Sequence, residues 1–452
     1  MRIELAVKQD FWDFLSVVGG IFYGKIKRQT IYAISTDSRE CQDGDIFFAL
    51  SGQTYNGNKF IEDAINKGAV PIGTGVKKYG IKVDSANAAL LAFSSFYKQQ
   101  LKNLKYTVAI TGSVGKTTTK EMLKKISSVK YKTHSTPGNF NNDIGVSYTI
   151  LSAPMDTEIL ICEIGMNNFG EIRSLSSALM PDIGIITRIG SAHIGNLGSI
   201  ENIAKAKLEI TENLRKHLII PYNEPLLYTS YPFITYFSTM HPSADILITK
   251  NTFDQCELYL GGYLEKIFHF SNCEEHLLHC LAAATAAAMK IAINANDIYK
   301  GIATIDTTSF RHRLFVSKKG FLILDDSYNA SYESVCAAIL MLNNISKAGK
   351  KHVLFGDILE LGALSKDIHY KIGEILAHNN IECIFLFGNQ VKYVAKGAID
   401  NGFDKKRIFI NNDIFSPEIT SNQICKTISP NDIILAKASN KINLKRVINL
   451  IE

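Results

Sequence analysis

Paired cysteines are what this chain most plainly lacks. Its eight cysteines are scattered, with no Cys-x-x-Cys anywhere, so neither a zinc site nor a disulfide framework is indicated, and reduced thiols of a cytoplasmic protein are the simple reading. Long apolar runs are missing too. The most apolar stretch, Leu281 to Met289, stops at Lys290, far short of a membrane span. The first ten residues carry charges where a secretion signal needs an apolar core. There is no internal repeat and no low-complexity tract. Charge of one sign is also scarce: the formal net charge of +6 is spread over 452 residues, which suits an anionic small substrate and makes no case for nucleic acid. What remains, 46% hydrophobic and 20% charged, is ordinary globular composition. The length suggests about three domains, which we place at residues 1–102, 103–311 and 312–452.

The stretch around which the rest is organised is Thr111-Gly112-Ser113-Val114-Gly115-Lys116-Thr117-Thr118. Tyr106 to Ile110 reads as a buried strand before it, and Lys120 to Ile126 has helical spacing after it. Strand, glycine-rich turn and helix is the context of a phosphate-binding loop. Its N–H groups converge on phosphate oxygens, and the helix N-terminus adds positive potential. Lys116 then reaches the β/γ-phosphates and Thr117 holds Mg²⁺. The common pattern has a further glycine where Ile110 stands.

Other candidates follow from where strands end. Ile159 to Cys162 runs into Glu163, and Asp182 to Ile186 runs toward His193. Ligands of open α/β sheets bind at such carboxyl ends. Glu163 there is equally a Mg²⁺ ligand or a structural carboxylate, and His193 taken alone is a hydrogen-bonded loop histidine. Asn139, Asn141 and Asn142 make a loop dense in amide donors and acceptors, or simply a surface loop. Ser38 and Arg39 sit at a turn where a hydroxyl and a guanidinium can hold a diphosphate, or else serve as helix cap and surface residue. Ile46 to Leu50 reads as a short strand and Phe60 to Lys67 as a helix ended by Gly68. Ser271 to Asn294 reads as one helix with caps at Ser271 and Asn272. Lys207 reads as a helix-surface lysine. Beyond residue 312, strand-like runs Phe321–Leu324, His352–Phe355, Cys383–Phe387, Arg407–Ile410 and Asp432–Leu435 alternate with helical stretches, which predicts a parallel sheet with helices on both faces.

Taken together these motifs resemble the Mur ligase family, the ATP-dependent amino-acid ligases of peptidoglycan synthesis. The short phosphate loop is similar, as are Thr36-Asp-Ser-Arg39, Gly138-Asn-Phe-Asn-Asn142, Glu163-Ile-Gly-Met166, Thr187 to His193, Gly198 to Ile210, Asp325-Asp-Ser-Tyr-Asn-Ala330 and Gly356-Asp-Ile-Leu-Glu-Leu-Gly362. They occur in family order over nearly the whole chain. The resemblance implies three α/β domains: an N-terminal UDP-binding domain, a central ATPase-like parallel sheet carrying the phosphate loop, and a C-terminal Rossmann-like domain. It implies ATP, two Mg²⁺ ions held by Glu163, His193 and a carbamylated Lys207, and ATP contacts from Arg313, Asp326 and Asn329. Ser38, Arg39 and the asparagine loop would meet the UDP-sugar-peptide, and the C-terminal domain would close about a hinge near Arg313.

The Asp-Asp-Ser-Tyr-Asn-Ala stretch points to the branch that joins D-alanyl-D-alanine to a UDP-N-acetylmuramoyl-tripeptide, acting as a monomer without nucleic acid or membrane insertion. Another amide ligase of the family, of the diamino-acid-adding or folylpolyglutamate type, and a nucleotide-binding regulator without ligase activity are the alternatives. Three places depart from the family: Asn58 stands for its histidine, Leu277 and Cys280 for its asparagines, and Lys437 to Lys441 for its glycines.

Overall fold

The computed structural model describes the chain except for residues 53–54, 253, 271–272, 307–312 and 346–348. Two compact units emerge. One comprises Met1–Thr187 with Ala206–Ile305, the other Arg188–Lys205 with Asp306–Glu452.

The first unit holds two sheets. Strands β1 (Arg2–Asp10), β2 (Ile21–Tyr23), β3 (Thr30–Ser35), β4 (Ile46–Phe48), β5 (Val70–Gly73) and β6 (Gly80–Lys82) are ordered β1-β3-β4-β5-β6-β2. The four inner strands are parallel and both edges antiparallel. The expected helix from Phe60 is a 3₁₀ turn over Gly57–Phe60 followed by an α-helix over Ile61–Asn66. Asn56 caps it by accepting from the Asn58 N–H, and Asn58 in turn accepts from the Gly75 N–H at 2.7 Å.

The larger sheet contains β7 (Tyr106–Thr111), β8 (Thr133–Ser135), β9 (Ile159–Glu163), β10 (Ile183–Ile186), β11 (His217–Pro221), β12 (Ile234–Ser238), β13 (Ile246–Lys250), β14 (Gln255–Leu260) and β15 (Tyr263–His269). Among the described residues its order is β15-β14-β13-β12-β11-β10-β7-β9-β8. Seven strands, β7 through β13, run parallel, and β14 and β15 close the edge as an antiparallel hairpin. Strands β7, β9 and β10 are continuous apolar runs because helices cover both faces of a parallel sheet; all of β9 and β10 is buried. The helix expected over 271–294 is shorter: it spans Glu275–Lys290, and Asn294 caps a second helix, Ala295–Ala303, by accepting from the Asp297 N–H. The turn between them puts Ala292 at φ +61°, which a continuing helix cannot accommodate. The expected caps Ser271 and Asn272 lie outside the described residues.

In the second unit β16 (Arg313–Val316), β17 (Leu322–Asp325), β18 (Lys351–Gly356), β19 (Cys383–Phe387), β20 (Ile408–Asn411) and β21 (Ile433–Lys437) are ordered β16-β17-β21-β18-β19-β20. Only β16 is antiparallel to its neighbour. The core between sheet and helices is built of Phe321, Leu354, Phe385, Ile434 and Val447 with their neighbours. The five parallel strands each fall within two residues of their sequence-based ranges, because alternation of apolar strand and amphipathic helix is a local signal; the antiparallel β16 is not among those expected.

Candidate active site

Strand register assembles the site in the first unit. Ile110 of β7 pairs with Glu163 of β9, and Thr111 with Ile186 of β10, so three strands end side by side. From the middle one the chain turns through Gly112 at φ +147° and Gly115 at φ +91°, conformations that favour glycine. The helix Lys116–Ser127 then starts at once. Lys116 folds back so that its Nζ donates to the Gly112 carbonyl at 2.7 Å. Thr117, in the first turn, donates from Oγ1 to Glu163 Oε2 at 2.8 Å. Thr118 follows it in the same turn. Ser113 lies between the two glycines that shape the loop.

Glu163 is 1% exposed. Its Oε1 accepts from Asn141 Nδ2 at 2.8 Å, and its backbone N–H donates to Thr136 Oγ1. Asn141 is fixed further because its carbonyl accepts from the Gly165 N–H at 2.7 Å. A Cβ at Gly165 would stand 2.9 Å from the Asn141 side chain, so this glycine is required for close packing. Asn142 caps the helix Asp143–Leu151 through the Gly145 N–H. Asn139 lies in the exposed turn before it.

Lys207 departs from its sequence reading. It is not on the surface: on the helix Ile200–Leu208 it is 1% exposed. Ile203 and Ala204, four and three residues earlier, are buried on the same face. Burial first, and then the charge of Lys116, push its amine well below the ordinary lysine range. Among the described residues no carboxylate is ion-paired with it. Burial of this kind favours the uncharged amine over the ammonium.

Where the family carries asparagines, Leu277 is buried and Cys280 packs on the loop. The Cys280 Sγ would stand 3.1 Å from a Cβ at Gly115. Next to it His279 Nε2 is 2.8 Å from the Thr187 carbonyl, and the Thr187 hydroxyl donates to the Val114 carbonyl at 2.6 Å. The loop is thus braced from the helix Glu275–Lys290.

Ser38 is buried in a 3₁₀ turn that Asp37, not Ser38, caps. Arg39 is exposed and forms a two-point pair with the Asp37 carboxylate, at 2.9 and 2.7 Å. The guanidinium holds that carboxyl well below the usual range.

The remaining candidates belong to the second unit. His193, at φ +66°, has its Nδ1 2.7 Å from Glu360 Oε2, and this holds the Glu360 carboxyl low. The Glu360 backbone is itself at φ +64°, and its carbonyl accepts from the Gly195 N–H. Ser191 donates to Glu333 from both its N–H and its hydroxyl. Asp326 is buried against Lys437 at 2.6 Å, and the same Nζ donates to the Asn329 carbonyl at 2.8 Å. Arg313 enters β16 by its backbone, paired with Asp325. His312, beside it at the expected hinge, lies outside the described residues.

Four of these, Ser191, Glu333, Glu360 and Lys437, were not singled out as site residues from sequence. Ser191 and Glu360 lay within quoted motifs, and Lys437 ends an apolar strand run and opens the stretch that departs from the family.

Among the described residues no three His, Cys, Asp or Glu side chains converge to hold a metal by themselves. A cation beside Thr117 and Glu163 would meet one hydroxyl and one carboxylate of the chain. A hydroxyl and a carboxylate are the oxygen donors that Mg²⁺ takes.

Comparison with known proteins finds three family descriptions along the chain: Mur ligase family, catalytic domain, over residues 30–97; Mur ligase middle domain over 110–246; and Mur ligase, glutamate ligase domain, over 311–440. A Bacillus subtilis UDP-N-acetylmuramoyl-tripeptide–D-alanyl-D-alanine ligase is 32% identical, covering 99% of both chains. The Rickettsia prowazekii protein of that name is 30% identical over 92% of this chain and 94% of its own. Among solved structures, MurF from Acinetobacter baumannii superimposes with a TM-score of 0.85 at 25% identity, covering 99% of this chain and 100% of that one. The Thermotoga maritima MurF ligase in complex with ADP gives 0.79 at 26% identity, covering 92% and 96%.

Proposed function

The chain belongs to the Mur ligase family, and we propose that it joins D-alanyl-D-alanine to the terminal carboxylate of a UDP-N-acetylmuramoyl-tripeptide, driven by ATP. The observation that carries this reading is the full-length likeness to relatives of that name, together with a phosphate loop whose threonine meets a buried carboxylate.

In the reaction we propose, the tripeptide carboxylate takes the γ-phosphoryl group of ATP, giving an acyl phosphate and ADP. The amine of D-alanyl-D-alanine attacks the acyl carbon and loses a proton, and the tetrahedral intermediate expels phosphate. Positioning and charge neutralisation govern such a transfer. Lys116 exchanges the Gly112 carbonyl for the β/γ-phosphates, and the amides of Gly112, Ser113 and Gly115 to Thr118 line them. Thr117 and Glu163 would hold Mg²⁺, which would neutralise phosphate charge. His193 and Lys207 serve a second ion in the same reading, and Lys207 does so as its carbamate. A free buried amine can add CO₂ and release a proton, and the anion so formed removes the repulsion from Lys116. Asp326, Asn329 and Arg313 are read as the ATP contacts of the C-terminal domain. Asn139, Asn141 and Asn142 are read as meeting the sugar-peptide, while Ser38 and Arg39 meet the UDP diphosphate, which has to displace Asp37 from Arg39. Eight free cysteines support a reducing, cytoplasmic setting.

Phosphate release from MgATP tests the reading, with UDP-MurNAc-tripeptide and D-Ala-D-Ala each present or omitted and Lys116→Ala as control. Release that needs both substrates and yields the pentapeptide by mass is expected. Release with a different amine moves the chain elsewhere in the family, and ATP binding without turnover of any pair favours a regulator.

A further inference from the structure

One turn below Lys116, on the same face of the helix, sits a second lysine that the reaction as described does not use. Lys120 is fully buried. Its Nζ donates to the Thr136 carbonyl at 2.6 Å and to the Gly138 carbonyl at 2.8 Å, and Glu121 Oε1 lies 2.8 Å away. An ammonium has three N–H groups, and these three oxygens account for them. Both carbonyls belong to the segment that leads into the asparagine loop. Thr136 is itself buried, and its hydroxyl accepts from the Glu163 N–H at 3.0 Å. Three residues beyond Gly138 comes Asn141, whose carboxamide meets Glu163.

We propose that Lys120 is a positioning residue that ties the asparagine loop to the phosphate-loop helix. One rigid helix thereby carries Lys116 and Thr117 toward the nucleotide and, a turn later, sets where Asn139 to Asn142 stand for the second substrate. A buried charge is costly unless its hydrogen bonds are complete. The arrangement is therefore close to all-or-none: the loop is seated with both carbonyls on the ammonium, or it is loose. Gly138, at φ +54°, lets the chain turn so that two carbonyls two residues apart face one nitrogen. The inference rests on the reading that this loop faces the UDP-linked substrate.

The test compares Lys120→Met, and Lys120→Gln as a milder variant that keeps an uncharged NH₂ donor group, against the wild-type chain. Amide hydrogen exchange needs no substrate. In Lys120→Met, which loses both hydrogen bonds to the loop carbonyls, exchange over residues 136–142 accelerates at least about tenfold to a hundredfold, the worth of a single hydrogen bond to a charged group, while residues 116–127 keep their protection. Lys120→Gln gives a smaller change of the same pattern. In turnover, KM for UDP-MurNAc-tripeptide rises about as much as exchange does, whereas KM for ATP stays within about threefold and kcat changes less than KM. Unchanged exchange in the loop, or loss of protection spread evenly over the unit, overturns the tie. A loosened loop with KM for the sugar-peptide unchanged overturns the positioning role. If instead Asn139→Ala and Asn141→Ala leave that KM untouched while Lys120→Met raises it, the substrate-loop reading is at fault and Lys120 acts by another route, which also overturns the inference as stated.

Discussion

In the first unit Glu163 is held by two neutral donors, Thr117 and Asn141, and buried Lys207 has Lys116 for an electrostatic neighbour and, among the described residues, no acid. In the second unit Asp326 lies against Lys437 and Glu360 against His193. The first arrangement buries an amine with no carboxylate ion-paired to it among the described residues, a cost that is relieved when an anion arrives. The second has its charges already matched, so its acids hold structure until a ligand competes for them. One place is prepared for binding, and the other is prepared for staying folded. The same residue type, lysine, shows both: Lys207 weakens the empty protein, whereas Lys437 holds it together.

The largest expected effect comes from Lys207→Met. Ligation falls about 10³- to 10⁵-fold, the range seen when a charge-bearing group is removed from phosphoryl transfer. Folding stability does the opposite. The folded-state amine lies below its unfolded value, so wherever the pH is below about 10.5 the unfolded chain binds a proton that the folded one lacks, and stability is reduced. In CO₂-free buffer at pH 7 the methionine variant is therefore at least as stable as wild type by denaturant midpoint, and the advantage shrinks as pH approaches 10.5. With ¹³C-bicarbonate, wild type shows a carbamate carbonyl signal that the variant lacks. A variant that is both active and unstable would break the contrast.

Lys437→Met is next and sharpens it from the other side. Truncating one partner of a buried pair takes the Lys437 charge away from Asp326, at a cost of about 3–5 kcal/mol. Urea unfolding followed by a probe in the second unit should show that loss. Lys437→Met with Asp326→Asn should recover much of it, since neither partner then carries a buried charge. A cost below about 1 kcal/mol would mean that the pair is matched only in appearance.

These contrasts were unevenly legible in the sequence. The phosphate loop and the strands of both parallel sheets are local patterns, and runs such as Ile159 to Cys162 or Cys383 to Phe387 announce buried strands without any tertiary information. Asn142 reads only as part of an amide-dense loop, and its role as cap of the helix Asp143–Leu151 emerges from the structure. Lys207 was read as exposed because lysine usually is. The clue against that lay in Ile203 and Ala204, which put position 207 on the apolar stripe of its own helix. Lys120 had no such route. Its partners are carbonyls 16 and 18 residues away, and a backbone acceptor leaves no mark on the sequence. The helix expected to reach Asn294 was overextended for a related reason. Its Ala-rich stretch is a good helix former throughout, and the break at Ala292 is set by how the following helix, Ala295–Ala303, packs against the phosphate-loop helix. A Cβ at Gly301 would come within 2.5 Å of the Ile126 backbone.

The smallest expected effect concerns how the matched place stays built. His369 is fully buried. Its Nε2 accepts from the Ile358 N–H at 3.0 Å, and its Nδ1 faces the Ser365 carbonyl at 2.7 Å. These partners suit the neutral ring with its proton on Nδ1, and burial lowers the ring's pKa. Ile358 begins the turn that carries Glu360 to His193, so His369 braces that turn. The sign follows from linkage. Below about pH 6.5 the unfolded chain takes up a proton that the folded ring refuses, so stability falls toward acid by up to about 1.4 kcal/mol per pH unit, until the folded-state pKa is reached. His369→Gln can still accept from the Ile358 N–H but does not titrate. At pH 7 it should cost about 1 kcal/mol for the altered fit, and below about pH 6.5 its stability should fall less steeply toward acid than that of wild type. Equal slopes would mean that the ring protonates in place, and the Ile358 N–H would then face a donor rather than an acceptor.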